Sequence, residues 1–144
     1  MAKELFTKEQ QQQIVAAVKE AELNTSGEIK VHIDNKCKED VLDRAAFIFD
    51  KLEMQKTELR NGVLIYLAVA DKKLAILGDA GINQKVADNF WDSTRDFMIN
   101  KFKDGQFTEG LAGGIKLAGE QLKQHFPYQS DDVNELSDDI SFGE

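Results

Sequence analysis

The run Val63-Leu64-Ile65-Tyr66-Leu67-Ala68-Val69-Ala70 is the longest apolar stretch of this 144-residue chain. It is too short to form an independent helix, and it is rich in residue types that favour strands. We therefore predict a buried central strand over Val63–Val69, with apolar neighbours on both of its faces. The same stretch falls far short of the ~20 apolar residues that a membrane-spanning helix needs, so no membrane segment is predicted.

The segments on either side of this strand predict a small mixed sheet. After it, Asp71-Lys72 is expected to form a two-residue hairpin loop that leads into an antiparallel strand over Lys73–Leu77. Before it, Glu28–Asp34 alternates polar and apolar residues, which is typical of a half-buried strand. An amphipathic helix over about Val41–Leu52 lies between these two strands. Such a crossover should make the first strand parallel to the central one.

Three further helices complete the predicted architecture. Thr7 and Gln10 have the spacing of a capping box, which predicts a helix running to about Glu22. Two later helices are indicated by apolar stripes, one through Val86, Phe90, Phe97 and Met98 and the other through Phe107, Leu111, Ile115, Ala118 and Leu122. The predicted fold class is α/β, a three-layer α/β/α arrangement with a small mixed sheet. This layering is similar to a Rossmann fold, but no Gly-x-Gly-x-x-Gly motif follows a strand, so dinucleotide binding is not predicted.

The charge balance excludes some classes of partner. The chain has 26 acidic and 18 basic residues, a net charge of −8 and a pI near 4.8, which disfavours binding to nucleic acid or to anionic membranes. A single cysteine, Cys37, excludes an internal disulfide and fits a reducing compartment. The first residues show no apolar run typical of a secretory signal, so a cytoplasmic location is expected. The composition predicts no particular oligomeric state.

Most of the negative charge lies near the carboxyl end. Residues 131–144 contain six acidic and no basic residues, which leaves a net charge of −2 on residues 1–130. Few large apolar residues lie there to offset the entropy of ordering. We therefore predict one folded domain over residues 1–128 and an acidic disordered tail over residues 129–144. The tail either keeps the chain soluble or docks a basic partner, and the sequence leaves both roles open.

One edge of the predicted sheet gathers polar residues from three loops. The first and central strands start at this edge and the third strand ends there. The residues it collects are Thr25, Ser26, Glu28, Arg60, Asn61 and the turn Gly78-Asp79-Ala80-Gly81. Carboxylates are the ligands that Ca²⁺ and Mg²⁺ prefer, and arginine suits phosphate oxygens. A cleft with this composition therefore suits a bound divalent cation and a phosphate group.

The residues at this edge receive specific candidate roles. Glu28 and Asp79 are the candidate catalytic residues and the candidate ligands of a divalent cation, either calcium or magnesium; no other cofactor is predicted. The candidate phosphate- or ligand-binding residues are Arg60, Asn61, Thr25 and Ser26. Ordinary structural roles stay open beside these: Asp79 as a turn or helix cap, Glu28 as a solvated carboxylate, and Arg60 as part of a surface ion pair.

The remaining reactive residue types predict no site. His32 and His125 are far apart and have no partner at zinc-ligand spacing. Cys37 lacks a clear histidine base, so a thiol nucleophile is not predicted.

Five short motifs, in this order and spacing, resemble the TPM domain family over about residues 5–126. They are Leu5-Phe6-Thr7, Thr25-Ser26-Gly27-Glu28-Ile29, Arg60–Leu67, Lys73–Gly81, whose end together with Ile82 is Gly-Asp-Ala-Gly-Ile, and Phe107–Leu111 with the later Gly114-Ile115. The resemblance implies an α/β/α fold. It also implies one of several functions, because the family includes thylakoid-lumen proteins linked to photosystem II repair, which act as acid phosphatases and bind calcium. Membrane-anchored bacterial proteins and an animal modulator of receptor channels belong to it too.

Two departures from the family pattern bear on the site. Family members usually carry an aspartate before the first helix, where this chain has Met1-Ala2-Lys3-Glu4. Many also have Gly-aromatic-Gly where this chain has Gly78–Gly81 with its added carboxylate. Two hypotheses follow. The chain is either a non-catalytic interaction or regulatory module with a protein partner, or a metal-assisted phosphatase-like hydrolase acting on phosphate monoesters.

Overall fold

The computed structural model describes residues 2–128 and 136–143. A short 3₁₀ helix covers Ala2–Leu5. The α-helices are α1 (Lys8–Glu22), α2 (Val41–Lys51), α3 (Ala80–Asn83), α4 (Asp92–Lys103) and α5 (Phe107–Lys123). The strands are β1 (Glu28–Asp34), β2 (Gly62–Ala68), β3 (Lys73–Gly78) and β4 (Ser141–Phe142). In these two described ranges, no helix is both long enough and apolar enough to cross a bilayer.

The four strands form one mixed sheet in the order β3-β2-β1-β4. β1 and β2 are parallel, with Glu28 opposite Gly62 and Asp34 opposite Ala68, as the predicted crossover through α2 requires. β3 is antiparallel to β2, and β4 lies parallel to the outer edge of β1. The predicted α/β class with its small mixed sheet is confirmed.

Helices cover both faces of this sheet. On one face, apolar residues of β1 and β2 pack with residues of α1, α4 and α5 in the larger core cluster. On the other face, Leu64, Tyr66 and Ala68 of β2 pack with Ala45 and Ile48 of α2. All seven residues of β2 are buried, which explains why its sequence is continuously apolar rather than alternating.

The first helix forms as its capping signal predicts. Thr7 is the N-cap of α1, and its hydroxyl accepts a hydrogen bond from the Gln10 N–H at 3.1 Å. The Gln10 side chain in turn accepts a hydrogen bond from the Thr7 N–H at 2.8 Å. Two backbone donors at the helix start are therefore satisfied reciprocally.

Two predicted boundaries were wrong. The connection between β2 and β3 spans residues 69–72 instead of two residues, and Lys72 takes a φ of +52° to close it. The helix expected through Val86 and Phe90 starts only at Asp92. Val86 and Phe90 lie instead in a turn region, where the Phe90 N–H donates to the Ala87 carbonyl. Val86 still packs on the main core, whereas the Phe90 ring makes edge contacts with Trp91 and His125.

The structure also differs from the predicted disordered tail over residues 136–143. Ser141–Phe142 forms β4 against β1, and Ile140 and Phe142 pack on the main core. The prediction was based on the acidic composition of the tail and did not consider Ile140 and Phe142 as a pair. Being two positions apart, these residues share one face of an extended segment. Residues 129–135 and 144 lie outside the described residues.

Candidate functional site

The strand registers bring the predicted site residues to one end of the sheet. Glu28 begins β1, Asn61 immediately precedes β2, and Asp79 immediately follows β3. Because Glu28 pairs with Gly62 and Val63 pairs with Gly78, these three positions lie at the same edge. We call this group the amino-end cluster, with Arg60, Thr25 and Ser26 as its other members.

Asp79 is buried and fully engaged by protein groups. One of its oxygens, Oδ2, accepts a hydrogen bond from Arg60 Nε at 2.7 Å, and Oδ1 accepts one from Arg60 Nη2 at 2.8 Å. Oδ1 also accepts the Ala80 N–H at 2.7 Å, which makes Asp79 the N-cap of α3. The hydrogen bonds from Arg60 raise the pKa of its guanidinium further above its usual value.

The backbone around this ion pair is tightly constrained. Arg60 has a φ of +52°, in the left-handed region, and its carbonyl accepts the Gly81 N–H at 2.8 Å. A Cβ atom on Gly81 would lie 2.2 Å from the Leu59 carbonyl oxygen, so only glycine permits this approach. The Arg60–Asp79 pair therefore ties the start of β2 to the start of α3.

Glu28 contacts the carboxyl-terminal segment. Its Oε1 accepts the Leu136 N–H at 2.6 Å, and its own N–H donates to the Asn61 carbonyl at 3.3 Å. The Glu28 side chain is buried, so the contact with Leu136 is made away from solvent. The carboxylate predicted to hold a metal thus holds a backbone N–H of residues 136–143.

Thr25, Ser26 and Asn61 close the loop before β1. The Thr25 hydroxyl donates to the Phe126 carbonyl and accepts the Gly27 N–H, and the Ser26 N–H donates to the same carbonyl at 2.9 Å. Asn61 Nδ2 lies 3.5 Å from Ser26 Oγ, a long contact. In the residues that the structure describes, no group of three or more His, Cys, Asp or Glu side chains is placed to hold a metal ion.

A second polar cluster lies at the opposite end of β1, and the sequence analysis did not predict it. Asp34 is 1% exposed and accepts three hydrogen bonds. Its Oδ2 accepts one from Arg44 Nε at 3.0 Å and one from the Tyr66 hydroxyl at 2.6 Å. Its Oδ1 accepts one from His32 Nε2 at 2.9 Å. The other ring nitrogen of His32, Nδ1, lies 2.8 Å from Ser141 Oγ. We call these five residues the carboxyl-end cluster.

The hydrogen bonds of this cluster fix its charges. Burial alone would raise the pKa of Asp34, but the bonds from Arg44, Tyr66 and His32 outweigh it and lower that pKa. Burial lowers the pKa of His32, so its imidazole is neutral near pH 7. Burial and the bond to Asp34 raise the pKa of the Tyr66 hydroxyl. Asp34 is therefore an anion whose charge is balanced by Arg44.

A cavity of about 370 Å³ adjoins this cluster. Its lining includes residues of β1 and α2 and residues of the carboxyl-terminal segment: His32, Arg44, Lys51, Ser141, Phe142 and Gly143. The sequence signal that could have located it is the row of polar residues at alternate positions of β1, Glu28, Lys30, His32 and Asp34. The alternation by itself predicts a half-buried strand, whereas Glu28, His32 and Asp34 are all buried.

Solved structures share this fold. The NMR structure of the BA42 protein from the psychrophilic bacterium Bizionia argentinensis is 49% identical to this chain, with a TM-score of 0.91 over 96% of this chain and 95% of that one. The N-terminal domain of the cg2496 protein from Corynebacterium glutamicum has a TM-score of 0.63 over 96% of this chain and 80% of that one. It is only 11% identical, so this likeness shows the fold alone.

The comparison with curated proteins gave no match. The sequence model of the TPM domain matches residues 2–121, which is most of the chain and includes every residue of the amino-end cluster. The chain therefore belongs to the TPM domain family.

Proposed function

We propose that this chain is a non-catalytic interaction module that binds a protein partner. The observation that carries the proposal is the engagement of the two carboxylates that would otherwise serve catalysis. Both oxygens of Asp79 accept hydrogen bonds from Arg60, and Glu28 accepts one from the backbone of Leu136. Each of these bonds uses a carboxylate lone pair that a metal ion or a transferred proton would otherwise use, so both side chains serve structural contacts in this arrangement.

The catalytic arm of the test uses hydrolysis of p-nitrophenyl phosphate between pH 5 and pH 8, with Mg²⁺, Ca²⁺, Mn²⁺ or a chelator. We compare the wild type with Asp79→Asn and with Asp92→Asn, an exposed aspartate paired to Arg95 on α4. The expected result is no metal-dependent turnover in any of the three proteins. Turnover in the wild type and in Asp92→Asn that disappears in Asp79→Asn would contradict the proposal.

The binding arm uses the full chain, immobilised and exposed to extract from its own cells. A partner should be retained in stoichiometric amount and displaced by free chain. Retention should survive Asp79→Asn, because the proposal gives that carboxylate a structural role only. If nothing is retained beyond what an unrelated protein of the same net charge retains, the proposal fails.

A metal-assisted phosphatase-like hydrolase acting on phosphate monoesters is the second candidate. The gathering of Glu28, Asp79 and Arg60 at one sheet edge favours it, because Arg60 is half-exposed and accessible to a phosphate. In this alternative, Glu28 and Asp79 hold calcium or magnesium, while Arg60 and Asn61, with Thr25 and Ser26 beside them, bind the phosphate group. A bound cation would supply Lewis acidity there. The loss of turnover in Asp79→Asn described above would favour this candidate.

A further inference from the structure

The outer edge of β1 is only partly covered by a strand. On its inner side β1 pairs with β2 along its whole length. On its outer side, among the residues that the structure describes, His32 and Ile33 pair with β4. Nearer the start of β1, the Ile29 N–H donates to the Glu22 carboxyl group at 3.0 Å. An edge of this kind is a template for an added strand, which is a common way to bind an extended peptide.

The contacts that hold residues 136–143 on this edge are mostly to their backbone. Lys30 Nζ donates to the carbonyls of Ser137 at 3.1 Å and Asp139 at 2.6 Å. Glu28 accepts the Leu136 N–H, and the Gly143 N–H donates to the Ile33 carbonyl at 2.9 Å. Another extended segment could supply the same carbonyls and N–H groups.

A few side chains add selectivity. Ser141 Oγ forms a hydrogen bond with His32 Nδ1, and Phe142 packs on the main core. Gly143 passes so close to the carboxyl-end cluster that a Cβ atom there would lie 1.9 Å from Asp34 Oδ1. The edge therefore selects a hydroxyl, then an apolar residue, then glycine.

Charge also matches across this contact. The edge presents Lys30, and the adjoining cavity is lined by Arg44 and Lys51. The segment seated there carries Asp138 and Asp139, and both carboxylates attract Lys30. Arg44 is balanced by Asp34, which leaves Lys30 and Lys51 to attract an acidic segment. Glu22 also lies at this edge and hydrogen-bonds to Asp138, but burial raises its pKa to about 9, so it adds no negative charge near pH 7.

We propose that the outer edge of β1 binds an extended acidic segment of a partner protein, and that residues 136–143 occupy this site in the free chain. The proposal rests on the proposed function and specifies where that function is exerted. Because residues 136–143 are tethered to the chain, they compete with a partner's segment at an effective concentration of about 1 mM. A partner therefore binds only when residues 136–143 are displaced.

The test uses a labelled peptide with the sequence of residues 136–143, acetylated and amidated, and measures its binding to the full chain by fluorescence anisotropy. Gly143→Ala in the chain should displace the chain's own segment and tighten binding of the peptide at least about tenfold over wild type. Phe142→Asp provides a second way to open the site if Gly143→Ala fails to fold.

The matched controls change either the peptide or the edge of β1 that binds it. A peptide with alanine at the Gly143 position should not bind the opened chain, and adding Lys30→Met to the opened chain should weaken binding about tenfold. A peptide with asparagine in place of both aspartates should bind more weakly and with less salt dependence. Equal binding of that peptide would overturn the acidic specificity.

The remaining outcomes separate the two proposals. No peptide binding to an opened chain that keeps the wild-type amide spectrum of β2 and β3 would overturn this site. If a stoichiometric partner is still captured in that case, the proposed function survives. If the wild type sediments as a dimer whose carboxyl-terminal segments exchange, the occupant is a second copy and the partner proposal is overturned. Metal-dependent phosphatase activity would count against the proposed function itself.

Discussion

The two ends of the sheet hold buried carboxylates, Asp79 and Asp34, that have different partners. At the amino end, Asp79 bonds to Arg60 and to the backbone of the next residue, and the Arg60 side chain is 49% exposed. At the carboxyl end, Asp34 bonds to side chains from β1, α2 and β2, and its best-placed cation, Arg44, is 24% exposed. The first carboxylate ties the turn before β2 to the start of α3 through one side chain, whereas the second binds side chains from three elements. We therefore expect the second to matter more for stability.

The largest effect should come from Asp34→Ala. Removing this carboxylate leaves the Tyr66 hydroxyl and one His32 nitrogen without their acceptor and leaves Arg44 unpaired, so we expect a loss of about 3–5 kcal/mol. Chemical denaturation monitored by circular dichroism measures it. Asp34→Asn should lose less, because the amide oxygen can still accept a hydrogen bond. If Asp34→Ala loses less unfolding free energy than Asp79→Ala, the comparison between the two ends of the sheet is wrong.

The next effect concerns Glu22, which contacts the segment next to β4. Burial, then a hydrogen bond with Asp138, raises its pKa to about 9, although the Ile29 N–H opposes the shift. The contribution of a carboxyl group with a raised pKa is fully present below about pH 4.5 and is lost as the pH rises through about 9.

Glu22→Gln keeps the hydrogen-bonding shape without titrating. Between pH 5 and pH 9, we expect the wild type to lose about 2–3 kcal/mol relative to this variant, after allowance for partial exposure. Glu20→Gln, an exposed change on the same helix, should follow the wild type. Parallel curves for wild type and Glu22→Gln in denaturant titrations across this pH range would refute the assignment.

A smaller effect is expected from Asp79→Ala. The change removes the N-cap of α3 and the partner of Arg60, but Arg60 can turn to solvent, so the loss should be about 1–2 kcal/mol. Thermal unfolding measures it, with Asp92→Ala as the control for an ion pair in which both side chains are exposed. A loss of 3 kcal/mol or more would mean that the amino-end cluster is as tightly coupled as the carboxyl-end cluster.

The smallest effect is predicted for Tyr66→Phe, which deletes one hydroxyl from the carboxyl-end cluster. Asp34 keeps two other donors, so the cost should be about 1 kcal/mol. Tyr128→Phe, at an exposed position, should cost nothing measurable. If Tyr66→Phe matches the cost of Asp34→Ala, the hydroxyl and not the carboxylate organises the cluster.

The sequence predicted the amino-end cluster and missed the carboxyl-end one for a physical reason. Strand order alone decides which loops meet at a sheet edge, and Val63–Val69 with its neighbours was enough to predict that order. The roles assigned to Glu28 and Asp79 remain untested predictions. The carboxyl-end cluster depends on β4, whose partner His32 lies 109 positions from Ser141. Local periodicity carries no information about such a pairing.

The late position of β4 in the chain has a consequence for how the sheet assembles. The β2–β3 hairpin closes across four residues, and β1 joins β2 through a single helical crossover. β4 must close a loop of more than a hundred residues for two strand pairs. Loop closure of that length is entropically costly, so β4 should dock last and open first. We therefore expect the three other strands to pair early and β4 to dock and open reversibly at the margin of the sheet.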